Sequence, residues 1–212
     1  MPLAPDRFFI RRALLASLAA SVAAPAFASP APVVTILGDS ITAGLGLPAA
    51  AALPAQLALA LARLGMSVTV RGAGVSGDTS ADGLARLDFS VQADTAVCLV
   101  ALGGNDLLQG VDPKVVRASL DAIVRRLKAR RIGVVLAGQT APPAVGAGYA
   151  RDFAAVFPSI AQAEHVPLYP DLLAGVGRSL RQGDGLHPNP AGVKVIAAGL
   201  APLVAKALKA RR

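Results

Sequence analysis

The run Thr95-Ala96-Val97-Cys98-Leu99-Val100-Ala101-Leu102 constrains this chain more than any other segment, because it is apolar without alternation and carries no charge. A strand with one wet face alternates in polarity. A continuous run is buried on both faces, a condition met by parallel sheets covered with helices on each side. Val33 to Leu37, Val68 to Arg71, Ile132 to Ala137 and Val166 to Tyr169 repeat the pattern in shorter form. Between and after them lie segments with helical spacing: Ala49 to Leu64, Thr79 to Phe89, Pro113 to Arg131, Tyr149 to Glu164 and Pro190 to Lys209. The alternation predicts a three-layer α/β/α sandwich with a parallel sheet of about five strands. With 212 residues, 54% of them hydrophobic, the chain can bury one sizeable core. No repeat or charged linker divides it, and the stretch from Gly138 to Gly148 reads as a loop. Ile41 to Ala62 is uncharged, but Pro48, Pro54 and Gln56 interrupt it, so it reads as a helix packed on the sheet rather than a membrane span.

The N-terminus has the marks of an address. Arg7, Arg11 and Arg12 precede an uncharged run from Ala13 to Ala24, followed by Ala26-Phe27-Ala28. These are a basic region, a short apolar region and a small-residue cleavage site, so residues 1–28 are expected to be a signal peptide and 29–212 a single domain. Arg11-Arg12 before Ala13-Leu14-Leu15 leans toward twin-arginine export. The destination would be periplasmic or secreted, with no stable membrane span once the signal is removed. An uncleaved N-terminal anchor is the other reading of the same segment.

A formal net charge of +8 raises the question of nucleic acid, yet aromatics make up only 4%, leaving few rings to stack on bases. Arg125, Arg126, Lys128, Arg130 and Arg131 close one helical segment and Lys206, Lys209, Arg211 and Arg212 close the last, where cations complement the helix dipole. No nucleic-acid partner is therefore expected. Cys98 is the only cysteine, which rules out an intramolecular disulfide, and its place in the apolar run makes it a core residue.

Four motifs fall where strands end. Gly38-Asp39-Ser40-Ile41-Thr42 directly follows the first strand, which would set Ser40 at the carboxyl edge of the sheet with its hydroxyl exposed and its N–H facing an incoming oxyanion. Gly38 is read as the residue that permits the sharp turn. Asp and Ser also build ordinary turns and caps, so the tripeptide alone does not separate the two readings. The turn from Gly72 to Thr79 can bring the Gly77 N–H to the same space, or is a plain loop capped by Asp78 or Thr79. Gly103-Gly104-Asn105-Asp106 ends the third strand, where the Asn105 amide can donate to a developing negative oxygen or merely complete a turn. Three such loops after three consecutive parallel strands share one sheet edge, the edge where this architecture keeps its sites.

Asp184-Gly185-Leu186-His187 stands just before Pro188-Asn189-Pro190, the cap signature of the last helix. A separation of three across a glycine-containing turn lets the Asp184 carboxylate reach the imidazole Nδ1 and aim Nε2 at Ser40. The other histidine, His165, lies at a helix end and reads as a surface or dipole partner. The candidate chemistry is acyl transfer to Ser40, with His187 as base and Asp184 as its orienter, requiring no metal or cofactor. Leu45, Leu47, Leu107, Leu108 and Val145 lie on the surrounding loops as candidates for an apolar groove, or as simple loop packing. Two rivals use the same residues: a metal-dependent phosphoesterase, which needs more histidines than are placed for it, and an exported lipid- or acyl-binding protein without turnover.

Together Gly38-Asp39-Ser40, Gly77, Gly104-Asn105-Asp106 and Asp184-x-x-His187 resemble the four blocks of the SGNH hydrolases, also called the GDSL family. The stretches GDSITAGLGLP, GVSGDTSADGLARL, LGGNDLLQG and DGLHPN are most similar to the bacterial arylesterase and thioesterase/lysophospholipase group of that family. The resemblance implies a flavodoxin-like SGNH fold and a small-molecule ester or thioester as substrate, with lipid-derived esters among the candidates. It implies Ser40 as nucleophile, His187 as base, Asp184 as orienter, and an oxyanion hole from the Ser40 N–H, the Gly77 N–H and the Asn105 side chain. Ile41 departs from the Leu of many members, and Leu45 from an aromatic, which bears on substrate preference rather than chemistry.

Overall fold

The computed structural model describes Met1 and residues 30–211, so the expected signal peptide over residues 1–28 lies, Met1 apart, outside the described residues. Five strands form one sheet: β1 (Val33–Gly38), β2 (Thr69–Gly74), β3 (Thr95–Ala101), β4 (Gly133–Ala137) and β5 (Leu168–Tyr169). Their order is β2-β1-β3-β4-β5 and every pairing is parallel. This is the doubly wound, flavodoxin-like arrangement, in which the chain leaves β1 toward one side for β2 and crosses back to the other side for β3.

The helices are α1 (Ser40–Ala43), α2 (Leu53–Arg63), α3 (Ser80–Ala85), α4 (Leu87–Ser90), α5 (Gly104–Gln109), α6 (Pro113–Ala129), α7 (Ala147–Glu164) and α8 (Pro190–Lys209). Because strand side chains alternate between faces, each strand feeds both layers. Val34, Ile36, Val97 and Leu99 pack with Leu53, Leu57 and Leu61 of α2 and with Val193, Ile196, Leu200 and Val204 of α8. Leu37, Cys98, Val100 and Leu136 face the opposite way, onto Val116, Leu120 and Ile123 of α6 and Phe153 and Phe157 of α7. Each fully buried Leu, Ile or Phe contributes about 1.5–3 kcal/mol, so the sheet is held rigid from both sides.

Several boundaries differ from expectation for local reasons. The segment expected as one helix from Ala49 divides into a 3₁₀ turn at Ala49–Ala51 and α2, which begins where Pro54 can occupy the first turn. The expected helix from Thr79 to Phe89 divides at Arg86, which ends α3 and starts α4. Thr79 caps α3 through a reciprocal pair with Asp82. By length and composition α8, with 20 residues and a mean hydropathy of 1.6, is apolar enough to cross a membrane. Its apolar stripe is instead spent on the sheet, which makes it a core helix. Four of the five basic residues at the end of α6 are paired: Arg125 and Lys128 meet Glu164 of α7 at 2.9 and 2.7 Å, and Arg126 and Arg130 meet Asp88. Such exposed pairs are each worth at most about 1 kcal/mol.

Candidate active site

The carboxyl ends of β1 and β3 flank the topological switch point, and the loops leaving them diverge to opposite faces. Into that crevice β1 delivers Ser40 as the first residue of α1. Asp39 caps this short helix, its Oδ1 accepting from the Ile41 N–H at 3.0 Å. Gly38 is needed here for close approach rather than for a special backbone angle. A Cβ on it would lie 2.1 Å from Thr42 Oγ1 and 3.0 Å from the Ala101 carbonyl, so any side chain would push α1 off the strand ends. Ser40 is 8% exposed, and its N–H, at the first helical position, has no intrahelical acceptor.

The histidine arrives from the other end of the chain. Before α8 the backbone folds into a hairpin closed by an isolated antiparallel bridge between Arg181 and Pro188. Inside it, Asp184 Oδ1 accepts from the N–H groups of Leu186 and His187 at 2.8 and 3.0 Å, while Oδ2 meets His187 Nδ1 at 2.6 Å. The imidazole bond and these two N–H donors hold the Asp184 carboxyl down at about 2. His187 Nε2 then stands 2.8 Å from Ser40 Oγ. The structure thus joins Ser40, His187 and Asp184 in one hydrogen-bonded line, across 147 residues of sequence.

Opposite this line are the β2–α3 and β3–α5 loops. Gly77 adopts φ +90°, a left-handed value that suits glycine, and lines the crevice. Asn105 Nδ2 donates to the Asp78 carbonyl at 2.8 Å, which uses one of its two hydrogens and leaves the other for the crevice. Two further ties lock these loops. Buried Asp106 accepts from the Ser80 N–H and hydroxyl at 2.8 and 2.6 Å. Arg86 reaches Asp78 at 2.5 Å, the Ala73 carbonyl at 3.0 Å and the Gly38 carbonyl at 2.8 Å, so one guanidinium ties the ends of β1 and β2 to the Gly77 turn.

The crevice is a cleft of about 570 Å³. Of the five leucine and valine candidates, Leu45, Leu107, Leu108 and Val145 line it; Leu47 does not, because the turn closed by its N–H on the Gly44 carbonyl turns it onto the core beneath α2 and α8. The wall also includes Ile41, Leu173, Leu186 and Gln139, which sequence reasoning did not single out. Gln139 follows β4 at the same sheet edge, and its position after a strand end was the available signal. Asp39 lines the base of the cleft and is 3% exposed; burial pushes its carboxyl up to about 6, against the opposing pull of the Ile41 N–H and the nearby His187. His165 caps the end of α7 in a left-handed conformation, remote in role from the cleft. Cys98 is fully buried, and burial pushes its thiol up to about 12.

Comparison with known proteins now gives the class. Residues 36–195 match the GDSL-like Lipase/Acylhydrolase family. The chain is 38% identical over 156 residues to Esterase TesA of Pseudomonas aeruginosa, covering 72% of this chain and 78% of that protein. It is 37% identical over 165 residues to Thioesterase 1/protease 1/lysophospholipase L1 of Escherichia coli, covering 76% and 78%. The crystal structure of AlinE4, an SGNH-hydrolase family esterase, superposes with a TM-score of 0.72 at 38% identity, covering 85% of this chain and 98% of that one. The protein is a serine hydrolase of acyl bonds of the carboxylic ester or thioester type. It belongs to the SGNH, or GDSL, hydrolase family.

Proposed function

We propose that Ser40 is the nucleophile of an exported esterase and thioesterase, with His187 as general base and Asp184 as the group that orients it. The observation that carries this reading is the line from Ser40 Oγ to His187 Nε2 at 2.8 Å and from His187 Nδ1 to Asp184 at 2.6 Å. As Ser40 Oγ attacks the carbonyl carbon, its proton passes to Nε2, and the Asp184 carboxylate stabilises the imidazolium. The Ser40 N–H, the Gly77 N–H and the second Asn105 amide hydrogen receive the oxyanion. Collapse expels the alcohol or thiol, protonated by His187, and leaves an acyl-enzyme. Water, deprotonated by His187, then releases the acid and restores Ser40. The apolar acyl or aryl portion lies against Leu45, Leu107, Leu108 and Val145, within the cleft they line.

Residues 1–28 act in this reading as a signal peptide, directing a mature domain from Ser29 to the periplasm or the medium. The test of the chemistry is Ser40→Ala assayed with p-nitrophenyl esters and acyl thioesters of graded chain length. Hydrolysis is expected to fall by on the order of 10³-fold or more. Activity near wild type would remove Ser40 from the mechanism. Fractionation of cells expressing the full chain, with N-terminal sequencing of the product, tests export.

A further inference from the structure

We propose that Gln182 is a positioning residue that holds the serine-bearing loop and the histidine-bearing hairpin in register. The inference rests on the reading of Ser40 and His187 as nucleophile and base. Their alignment joins two segments from opposite ends of the chain, so something other than chain connectivity must maintain it. Bonds inside the hairpin do not. Gln182 N–H donates to the His187 carbonyl at 2.8 Å, Gly185 N–H to the Gln182 carbonyl at 3.0 Å, and Asn189 N–H to the Leu180 carbonyl at 2.8 Å. They set the hairpin's shape, and Val176 and Leu180 seat its stem on the core, but none of these bonds crosses to the loop that carries Ser40.

The carboxamide of Gln182 ties the two segments directly. Its Nε2 donates to the Leu45 carbonyl at 2.9 Å and to the Pro188 carbonyl at 3.0 Å, one acceptor on each side of the seam. Among the described residues, this bond to Leu45 and the Ser40–His187 contact are the only hydrogen bonds between the loop over residues 39–48 and the hairpin over 176–189. The other end of the amide is seated as closely: a Cβ on Gly46 would stand 2.4 Å from Gln182 Oε1, so position 46 must be bare for the amide to lie there. Gln182 is not part of the cleft wall, so it acts through Ser40 and His187 rather than on substrate. Leu45 does line the cleft, which makes the carbonyl that Gln182 grips part of a substrate-facing residue.

The experiment compares Gln182→Ala and Gln182→Glu with Gln56→Ala, using ester hydrolysis, thermal unfolding and active-site titration. Gln56 is a matched control: its Nε2 also clamps a backbone carbonyl, that of Ala50 at 2.7 Å, away from the reacting groups. Rates are expressed per Ser40 titrated exhaustively by a fluorophosphonate, so unfolded molecules do not count. Misplacing reacting groups by about 1 Å costs up to about 100-fold. Gln182→Ala is expected to lower kcat by about 10- to 100-fold with KM within about threefold of wild type. Gln182→Glu, which faces two carbonyls with an acceptor, should do no better, and Gln56→Ala should keep wild-type kcat. Gln182→Ala with kcat within twofold of wild type, or with the whole effect in KM, overturns the proposal. A fall in kcat matched by Gln56→Ala also overturns it, because generic loss of a side-chain tie would then suffice. Ser40→Ala run alongside separates the two levels: if it stays active, the nucleophile reading fails, whereas an inactive Ser40→Ala beside an unaffected Gln182→Ala sinks only this inference.

Discussion

Replacing Asp39 with asparagine should stabilise the protein at alkaline pH and slow it at the same time. Asp39 is 3% exposed, and burial is the main reason its carboxyl rises from 3.8 to about 6 in the folded protein. The sign follows from which state holds the proton. Below pH 3.8 folded and unfolded chains are both protonated at this site, and burial costs nothing extra. Between 3.8 and about 6 the folded state keeps a proton the unfolded state has lost, so stability declines as pH rises. Above that range both are ionised and the full penalty stands, about 3 kcal/mol for a shift near two pH units at about 1.4 kcal/mol each. Asparagine carries no charge at any pH and keeps an oxygen for the Ile41 N–H, which the aspartate accepts at 3.0 Å. The stability difference between Asp39→Asn and wild type should therefore grow by about 3 kcal/mol from pH 3 to pH 8.

Urea unfolding of both proteins across that pH series measures the difference directly, since remote groups titrate alike in the two and cancel. A difference that is flat, or that shrinks as pH rises, refutes the account of Asp39 as a buried charge held against its own desolvation. The same charge attracts His187. Ionised Asp39 thus favours the imidazolium that forms when Ser40 surrenders its proton, and kcat at pH 8 should drop several-fold in Asp39→Asn, on the order of 1 kcal/mol. Gain in stability with loss of rate would mark Asp39 as a site where function is kept at the expense of the fold.

Other consequences follow from the loops facing Ser40 and from the cleft wall. Asn105→Ala removes one oxyanion donor and should lower kcat by about 10²- to 10³-fold with little change in KM, read from steady-state ester hydrolysis. Arg86→Met strips three loops of their common donor and leaves the Asp78 carboxylate without its partner; urea unfolding should show a loss of about 3–5 kcal/mol. Leu108 lines the cleft yet is 64% exposed, so Leu108→Ala should leave thermal unfolding unchanged while raising KM for long-chain esters by about fivefold and sparing acetate esters. A stability loss without a chain-length effect would make Leu108 an ordinary surface residue.

How far the sequence disclosed this site depends on the range over which each interaction acts. Asp184 and His187 are three residues apart, so their contact follows from a turn and was legible, as were the two-sided strands whose burial needs no partner to be inferred. The α8 boundaries were legible for the same reason, through Asn189 and Pro190 at its start. Short helices were not: α1 and α5 span less than two turns, too little for a periodic signal, and exist because Asp39 caps one and Gly103 bends into the other. The ties made by Arg86 are illegible in sequence because their acceptors, the Ala73 and Gly38 carbonyls, lie 13 and 48 residues away. Turn or cap is among the roles the sequence leaves open to Asp39, and it does cap α1, but capping says nothing of depth, and only the third dimension shows that the cap is also a buried acid against the histidine. Gln182 is the extreme of the series. Its grip on Leu45 spans 137 residues and links two loops that no local pattern connects. Chemistry that local turns can assemble is thus written openly in the chain, while the ties that align it across the seam emerge only once the sheet has brought both loops to one edge.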